Sequence, residues 1–391
     1  MFHPKYQRVM CALALAGALG WGGFPVHADG RDDDRRDDDH DQRVKTVFVI
    51  AMENHNWVQP SGLTTSPEQI FTNPAAPFIN SLVNGTSGIS GQLAYATNYQ
   101  NAAPGNHPSE PNYVWAEAGN PGNSLGTDAD PYTSSCAVQT IVTTNQHLSA
   151  FLTKAKKTWK SYQEDANVNL TSNVPLASSS WTVPLFSHSG NFTTGLNEYN
   201  FSTQYNYAAK HNPMVFFTDT AGPCPATASI QYPPLQQLAL DLQNNTVADY
   251  NWITPDQYNE QHSALSAGYG SFVPSSDQSA VAEGDNFVSR IVPLIMASDA
   301  YKDHGLIVLW WDESEGGDTS AYTLPFIIIS KDAHENVGGK PYSNAIQYSH
   351  SSTLRTMQEI FDVDPWHGYS WLGDASNATD LSDLFKPDSI R

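Results

Sequence analysis

The run Val47-Phe-Val-Ile-Ala-Met52 is apolar without interruption and then stops on Glu53, Asn54 and His55. A stretch this short and continuous fits a strand buried on both faces, the kind found in parallel sheets. Residues at the C-terminal end of such a strand face the crevice where open α/β sheets place their ligands. A second element repeats the pattern much later: Gly305-Leu-Ile-Val-Leu-Trp-Trp311 ends on Asp312-Glu313. Polar residues commonly bound strands, so each pair alone reads equally well as a cap. Together, two strand ends carrying hard oxygen donors point to a divalent metal between the halves of one sheet.

Further buried strands are expected at Met214–Thr218, Tyr250–Thr254 and Phe326–Ser330, and helices at Leu148–Lys157, Leu235–Asn244, Asp285–Ala297 and Ser351–Phe361. Alternation of the two predicts an α/β fold with a mainly parallel sheet covered on both faces. Residues 56–132 and 167–207 are rich in Gly, Pro, Asn, Ser and Thr, and read as long active-site loops or a small cap.

Lys5 and Arg8, the apolar stretch from Val9 to Phe24 and the small-x-small ending Val26-His27-Ala28 predict a cleaved export signal over residues 1–28, hence a secreted or periplasmic protein. Residues 29–45 form an Asp/Arg-rich stretch that buries no apolar surface and reads as a disordered linker. The catalytic domain is expected over 46–391. The net charge of −21 disfavours nucleic acid and anionic membranes as partners. Cys11 leaves with the signal; Cys136 and Cys224 remain, either as a disulfide or as two free buried thiols.

In His107-Pro-Ser-Glu-Pro-Asn-Tyr113, two prolines fix where Ser109 and Asn112 point. A serine held beside a cation can become a nucleophile. Read alone, the segment is more simply a turn that contains a serine. His211 in Lys210-His-Asn-Pro213, His262 at the end of Trp252-Ile-Thr-Pro-Asp-Gln-Tyr-Asn-Glu-Gln-His262, and His350 in Tyr348-Ser-His350 lie at strand–loop or loop–helix junctions. Ser349 or Ser351 is a plausible cap for the last helix. A Gly-rich phosphate loop, His-Glu-x-x-His and the Gly-x-Ser-x-Gly elbow are absent from the sequence.

These segments, with Trp159-Lys-Ser-Tyr-Gln-Glu-Asp165, Gly284-Asp285 and Tyr348-Ser-His-Ser-Ser352, follow in the order of a known family. The chain resembles the phosphoesterase family of acid phosphatases and phospholipases C, within the alkaline-phosphatase-like superfamily. That resemblance implies a three-layer αβα sandwich and one divalent metal ion (Ca, Mg, Mn, Fe or Zn) held by Glu53, Asn54, Asp312 and Glu313. It implies Ser109 as the nucleophile and His350, or His262, as the acid that protonates the leaving oxygen. His107, Asn112 and His211 would bind phosphoryl oxygens. Glu260 departs from the family's Asn-Asp-x-His pattern and reads as an orienting residue behind the ligands. The expected partner is a small phosphate ester, with transient lipid contact if the enzyme is a phospholipase C. The chain is too short for the C-terminal β domains of the large phospholipases, which favours a phosphatase. A non-catalytic exported metal-binding protein is the alternative of another class.

Overall fold

The computed structural model describes residues 43–63 and 68–390. The expected export signal and most of the expected linker lie outside the described residues. A seven-stranded sheet forms the centre. In chain order its strands are β1 (Thr46–Met52), β2 (Leu93–Ala96), β3 (Trp159–Gln163), β4 (Tyr250–Thr254), β5 (Gly305–Trp311), β6 (Phe326–Ile329) and β7 (Tyr342–Asn344). Across the sheet they run β7-β2-β6-β5-β1-β4-β3. Every pairing is parallel except the two made by β6, which runs against β5 and β2.

The central strands are apolar because both faces are covered. Every residue of β5 is buried, as are the last six of β1. Burying each of their large side chains favours folding by about 1.5–3 kcal/mol. On one face, Trp252 stands beside Val49 and Trp310 beside Ala51. Tyr113, on the helix Ser109–Ala118, packs edge-on against both indoles. On the other face, Gly284 of the helix Asp277–Met296 meets Met52 and Gln261 so closely that a Cβ would fall 2.2 Å from Gln261 Cγ. Helices on both faces make the expected three-layer αβα sandwich.

The principal helices are α1 (Pro77–Asn84), α2 (Ser109–Ala118), α3 (Leu148–Lys154), α4 (Gln237–Asn244), α5 (Asp277–Met296) and α6 (His350–Ile360). The Asp285 carboxylate accepts the Phe78 and Ile79 amides at 3.0 and 2.8 Å and thereby caps α1 from a neighbouring helix. Ser349 caps α6 in a capping box with Ser352.

Several expectations need correction. Met214–Thr218 is not a strand but a 3-10 turn, Pro213–Phe216, followed by a single helical turn, Thr218–Ala221. A buried apolar run carries no period that separates the two, and Pro213 favours the first helical position. Helix α5 starts eight residues before the expected Asp285, capped by Ser276, because Gly284 serves close packing and does not break the helix. The stretch read as loops over 56–132 contains α1, β2 and α2.

The sulfur atoms of Cys136 and Cys224 lie 1.97 Å apart, with their Cα atoms at 5.4 Å. Nearby, the fully buried His147 is held between Glu117 Oε2 (3.2 Å) and Asp219 Oδ1 (2.8 Å). Burial opposes its charge, but hydrogen bonds to Asp219 and Glu117 prevail and raise its pKa from 6.5 to about 9. A raised folded-state pKa gives stability that is full below the unfolded value and lost as pH rises through the folded one. The stability of the wild-type protein over His147→Gln should therefore be greatest below about pH 6.5 and fade as pH climbs towards 9, as followed by urea unfolding across that range.

Candidate active site

Met52 pairs with Trp311, so the residues that follow, Glu53 and Asp312, emerge side by side at the C-terminal edge of the sheet. Asn54 takes a left-handed backbone (φ 37°), which turns the chain sharply and lets its N–H donate to Asp312 Oδ1 at 3.0 Å. Its side-chain amide donates to Glu313 Oε1 at 3.3 Å and to Glu315 Oε1 at 2.9 Å.

The His-Pro-Ser segment is the start of α2, not a turn. Ser109 sits in the first turn and donates from Oγ to Glu53 Oε2 at 2.9 Å. Glu313 Oε1 and Asn54 Oδ1 lie 3.4 and 3.5 Å from the same hydroxyl. One turn on, Asn112 Nδ2 reaches Glu313 Oε2 at 3.4 Å. Tyr113 donates its hydroxyl to Glu53 Oε1 at 2.7 Å. His107 Nδ1 bonds Glu313 Oε2, and its Nε2 lies 2.8 Å from Asp318 Oδ1. The hydrogen bond with Glu313 raises the His107 pKa to about 9 against the effect of burial, which keeps the ring cationic at neutral pH.

His211 lies on the 3-10 turn Ala209–His211, fully buried, with its ring stacked 5.0 Å from that of Tyr113. Its Nε2 is 3.2 Å from Glu53 Oε1 and its Nδ1 2.7 Å from Glu260 Oε1. The loop that presents Glu260 is held by Glu164 at the end of β3. Glu164 Oε2 accepts the Asp256 amide at 2.8 Å, and both its oxygens accept from Asn259.

Burial pushes the carboxyls of Glu53, Glu260 and Asp312 well above the usual range, and neighbouring carboxylates push them further. Both oxygens of Glu260, both nitrogens of His211 and Asp312 Oδ2 are buried without a hydrogen-bond partner among the described residues; the His211 approaches are close but lack hydrogen-bond geometry. Each buried ion costs several kcal/mol unless something compensates it. Glu53, His211 and Glu260 offer ligand atoms that all lie within 4.8 Å of one another. Acidic, unmatched and convergent, this donor set fits a divalent cation.

His350 stands elsewhere. The Trp310 indole, which can only donate, points at His350 Nδ1 from 3.0 Å. The ring proton therefore resides on Nε2, which donates to the Asp312 carbonyl. Burial holds its pKa down to about 4. With both nitrogens occupied and the ring wholly buried, His350 supports Asp312 from behind and is not placed to donate a proton to a leaving group. His262 is exposed, with its ring 5.9 Å from that of His211 and its Nδ1 3.0 Å from Ser263 Oγ. The sequence reading missed the part of Tyr113 and underrated Glu260. Taking residues 109–118 as a helix exposes the first of these, because Ser109, Asn112 and Tyr113 then share one face.

A serine hydroxyl and a convergent set of buried acidic and imidazole groups thus meet at the C-terminal edge of a mainly parallel sheet. The chain belongs to the phosphoesterase family, whose model matches residues 36–364, and the protein is a phosphoric-ester hydrolase. It is 25% identical over 339 residues to the phosphatidylinositol-3-phosphatase of Mycobacterium tuberculosis, covering 87% of this chain and 82% of that one. It is also 25% identical over 217 residues to the phosphate-repressible acid phosphatase of Penicillium chrysogenum, covering 55% and 40% respectively. A solved structure from the alkaline phosphatase superfamily, from Vibrio parahaemolyticus, aligns with a TM-score of 0.44 at 11% identity over 88% of this chain and 74% of that one.

Tyr113→Phe keeps the ring stack on His211 but removes the donor to buried Glu53 Oε1. It should lower metal-free stability by about 1–3 kcal/mol in chemical denaturation.

Proposed function

We propose that this protein is an exported, metal-dependent phosphomonoesterase of the acid phosphatase type, with Ser109 as nucleophile. The observation that carries the proposal is Ser109 Oγ, which points its proton at Glu53 Oε2 from 2.9 Å at the N-terminal end of α2. Glu53 accepts that proton while Oγ attacks phosphorus in line and the P–O bond to the alcohol breaks. The departing alkoxide takes a proton from His262, beside the cluster, under acid conditions, because desolvation and the Lys210 charge lower the pKa of that ring to about 4. Water then attacks the phosphoserine and gives a proton to His262, the Oγ–P bond breaks, and the proton on Glu53 returns to Ser109.

Glu53, His211 and Glu260, with Asp312 at the adjacent strand end, would hold the cation, whose charge would stabilise the phosphoryl oxygens. Asn54 and Glu313, expected as ligands from the sequence, make direct hydrogen bonds to neighbouring side chains and read as positioners of that set. An imidazole among carboxylates suits Mn, Fe or Zn better than Ca or Mg. Both curated relatives carry phosphatase names, which supports a monoester substrate over a choline phosphodiester. Export is supported by the signal-like N-terminus.

Ser109→Ala should reduce kcat on an aryl phosphate at least about 10³-fold while the circular dichroism spectrum and metal content stay unchanged. Full turnover in that variant would sink the nucleophile assignment. Glu53→Gln and Glu260→Gln should each lose bound metal by elemental analysis of the purified protein, and normal stoichiometry in both would remove them from the ligand set. An assay panel of aryl phosphate, phosphatidylinositol 3-phosphate and a choline phosphodiester distinguishes a soluble monoester, a lipid monoester and a phospholipase C substrate.

A further inference from the structure

Lys210 precedes His211 and is a second cation, in addition to His107, at this acidic site. Its charge bears on Glu53, Glu260 and Glu110. The ammonium is mostly buried and tied to Asp128 Oδ2 at 2.7 Å. The other oxygen of Asp128 accepts the backbone N–H of Glu110 at 3.1 Å. Glu110 directly follows Ser109, so one carboxylate bridges an ammonium and a helix-end amide beside the nucleophile. The Asp128 loop is held next to the site by Gly126, whose amide donates to the His107 carbonyl at 3.0 Å.

An ammonium and an amide at the positive end of a helix are the two donors that a phosphoryl group bound at Ser109 would need. We propose that Lys210 receives a phosphoryl oxygen of the substrate, and that Asp128 is a built-in anion that holds this position until the substrate displaces it. The proposal rests on the phosphatase reading above. It differs from a plain structural ion pair in a way that can be measured. In a structural pair, removing either charge harms the protein alike. Here the two charges have opposite effects on an incoming anion, because one attracts it and the other competes with it.

The test uses the metal-loaded full chain, with orthophosphate as a competitive inhibitor of aryl phosphate hydrolysis and elemental analysis as control. Lys210→Met should raise both KM and the phosphate inhibition constant about tenfold or more, with a smaller change in kcat and unchanged metal content. Lys210→Arg should recover much of the loss. Asp128→Asn should move the inhibition constant the other way and tighten phosphate several-fold. Calorimetric titration of orthophosphate into each protein gives the same comparison without turnover. Inhibition constants that rise in both charge-removing variants, or change in neither, in an otherwise active enzyme would overturn this assignment alone. A wild-type protein that neither binds orthophosphate nor cleaves any phosphate ester would overturn the phosphatase reading and this assignment with it.

Discussion

The parallel pairing of β1 with β5, with Met52 beside Trp311, is the constraint on which the site depends. In a parallel pair, adjacent strands end at the same edge, so a register that matches Met52 to Trp311 sets Glu53 next to Asp312. Both faces of β1 are apolar, so side-chain size sets the register: Val47, Val49 and Ala51 share one face, and the larger Phe48, Ile50 and Met52 the other. The packing that fits this register therefore also fixes the spacing of two carboxyl groups. Helix α2 lies over the indoles of Trp252 and Trp310 through Tyr113 and delivers Ser109 to the same edge. Core packing and site geometry are set by the same contacts.

The chain accepts a cost here. Glu53, Glu260, Asp312 and Glu313 are buried close together, and each is pushed towards its neutral form chiefly by burial. The surrounding donors offset part of that cost: Tyr113 and Ser109 on Glu53, the Asn54 amide on Asp312, and His107 on Glu313. Each donor also limits how its carboxylate can rotate. The carboxylate oxygens are thus held in place by neighbouring donors, as the cation site proposed above would require.

Much of this was legible in the sequence because strongly buried elements leave strong patterns. The unbroken apolar runs of β1 and β5, and the polar pairs Glu53-Asn54 and Asp312-Glu313 that end them, marked both the sheet and the edge where its carboxylates gather. Elements with mixed surfaces were harder to read. Helix α2 carries Pro111 and Asn112 and follows directly on Pro108, so the segment's composition resembled a loop, yet one proline precedes the helix and the other falls in its first turn, where no intrahelical N–H is needed. Gly284 looked like a helix boundary but is demanded by contact with Gln261 across the layers. The state of His350 could not be read from a motif. It depends on Trp310, forty residues away, which fixes the tautomer. The pairing of Glu260 with His211 likewise arises only when the loop after β4 folds back under Glu164.

The Cys136–Cys224 link joins two segments that matter to one another at the site. Asp128 lies a few residues before Cys136, and Lys210 precedes Cys224 on the chain that the Phe216 carbonyl ties to the Val142 amide. Without the link, 88 residues of chain would separate its two ends. With it, eight residues from Asp128 to Cys136 and fourteen from Lys210 to Cys224 complete a much shorter covalent path between the two charges. The cross-link thus limits how far that loop and that turn can part when the chain between them opens.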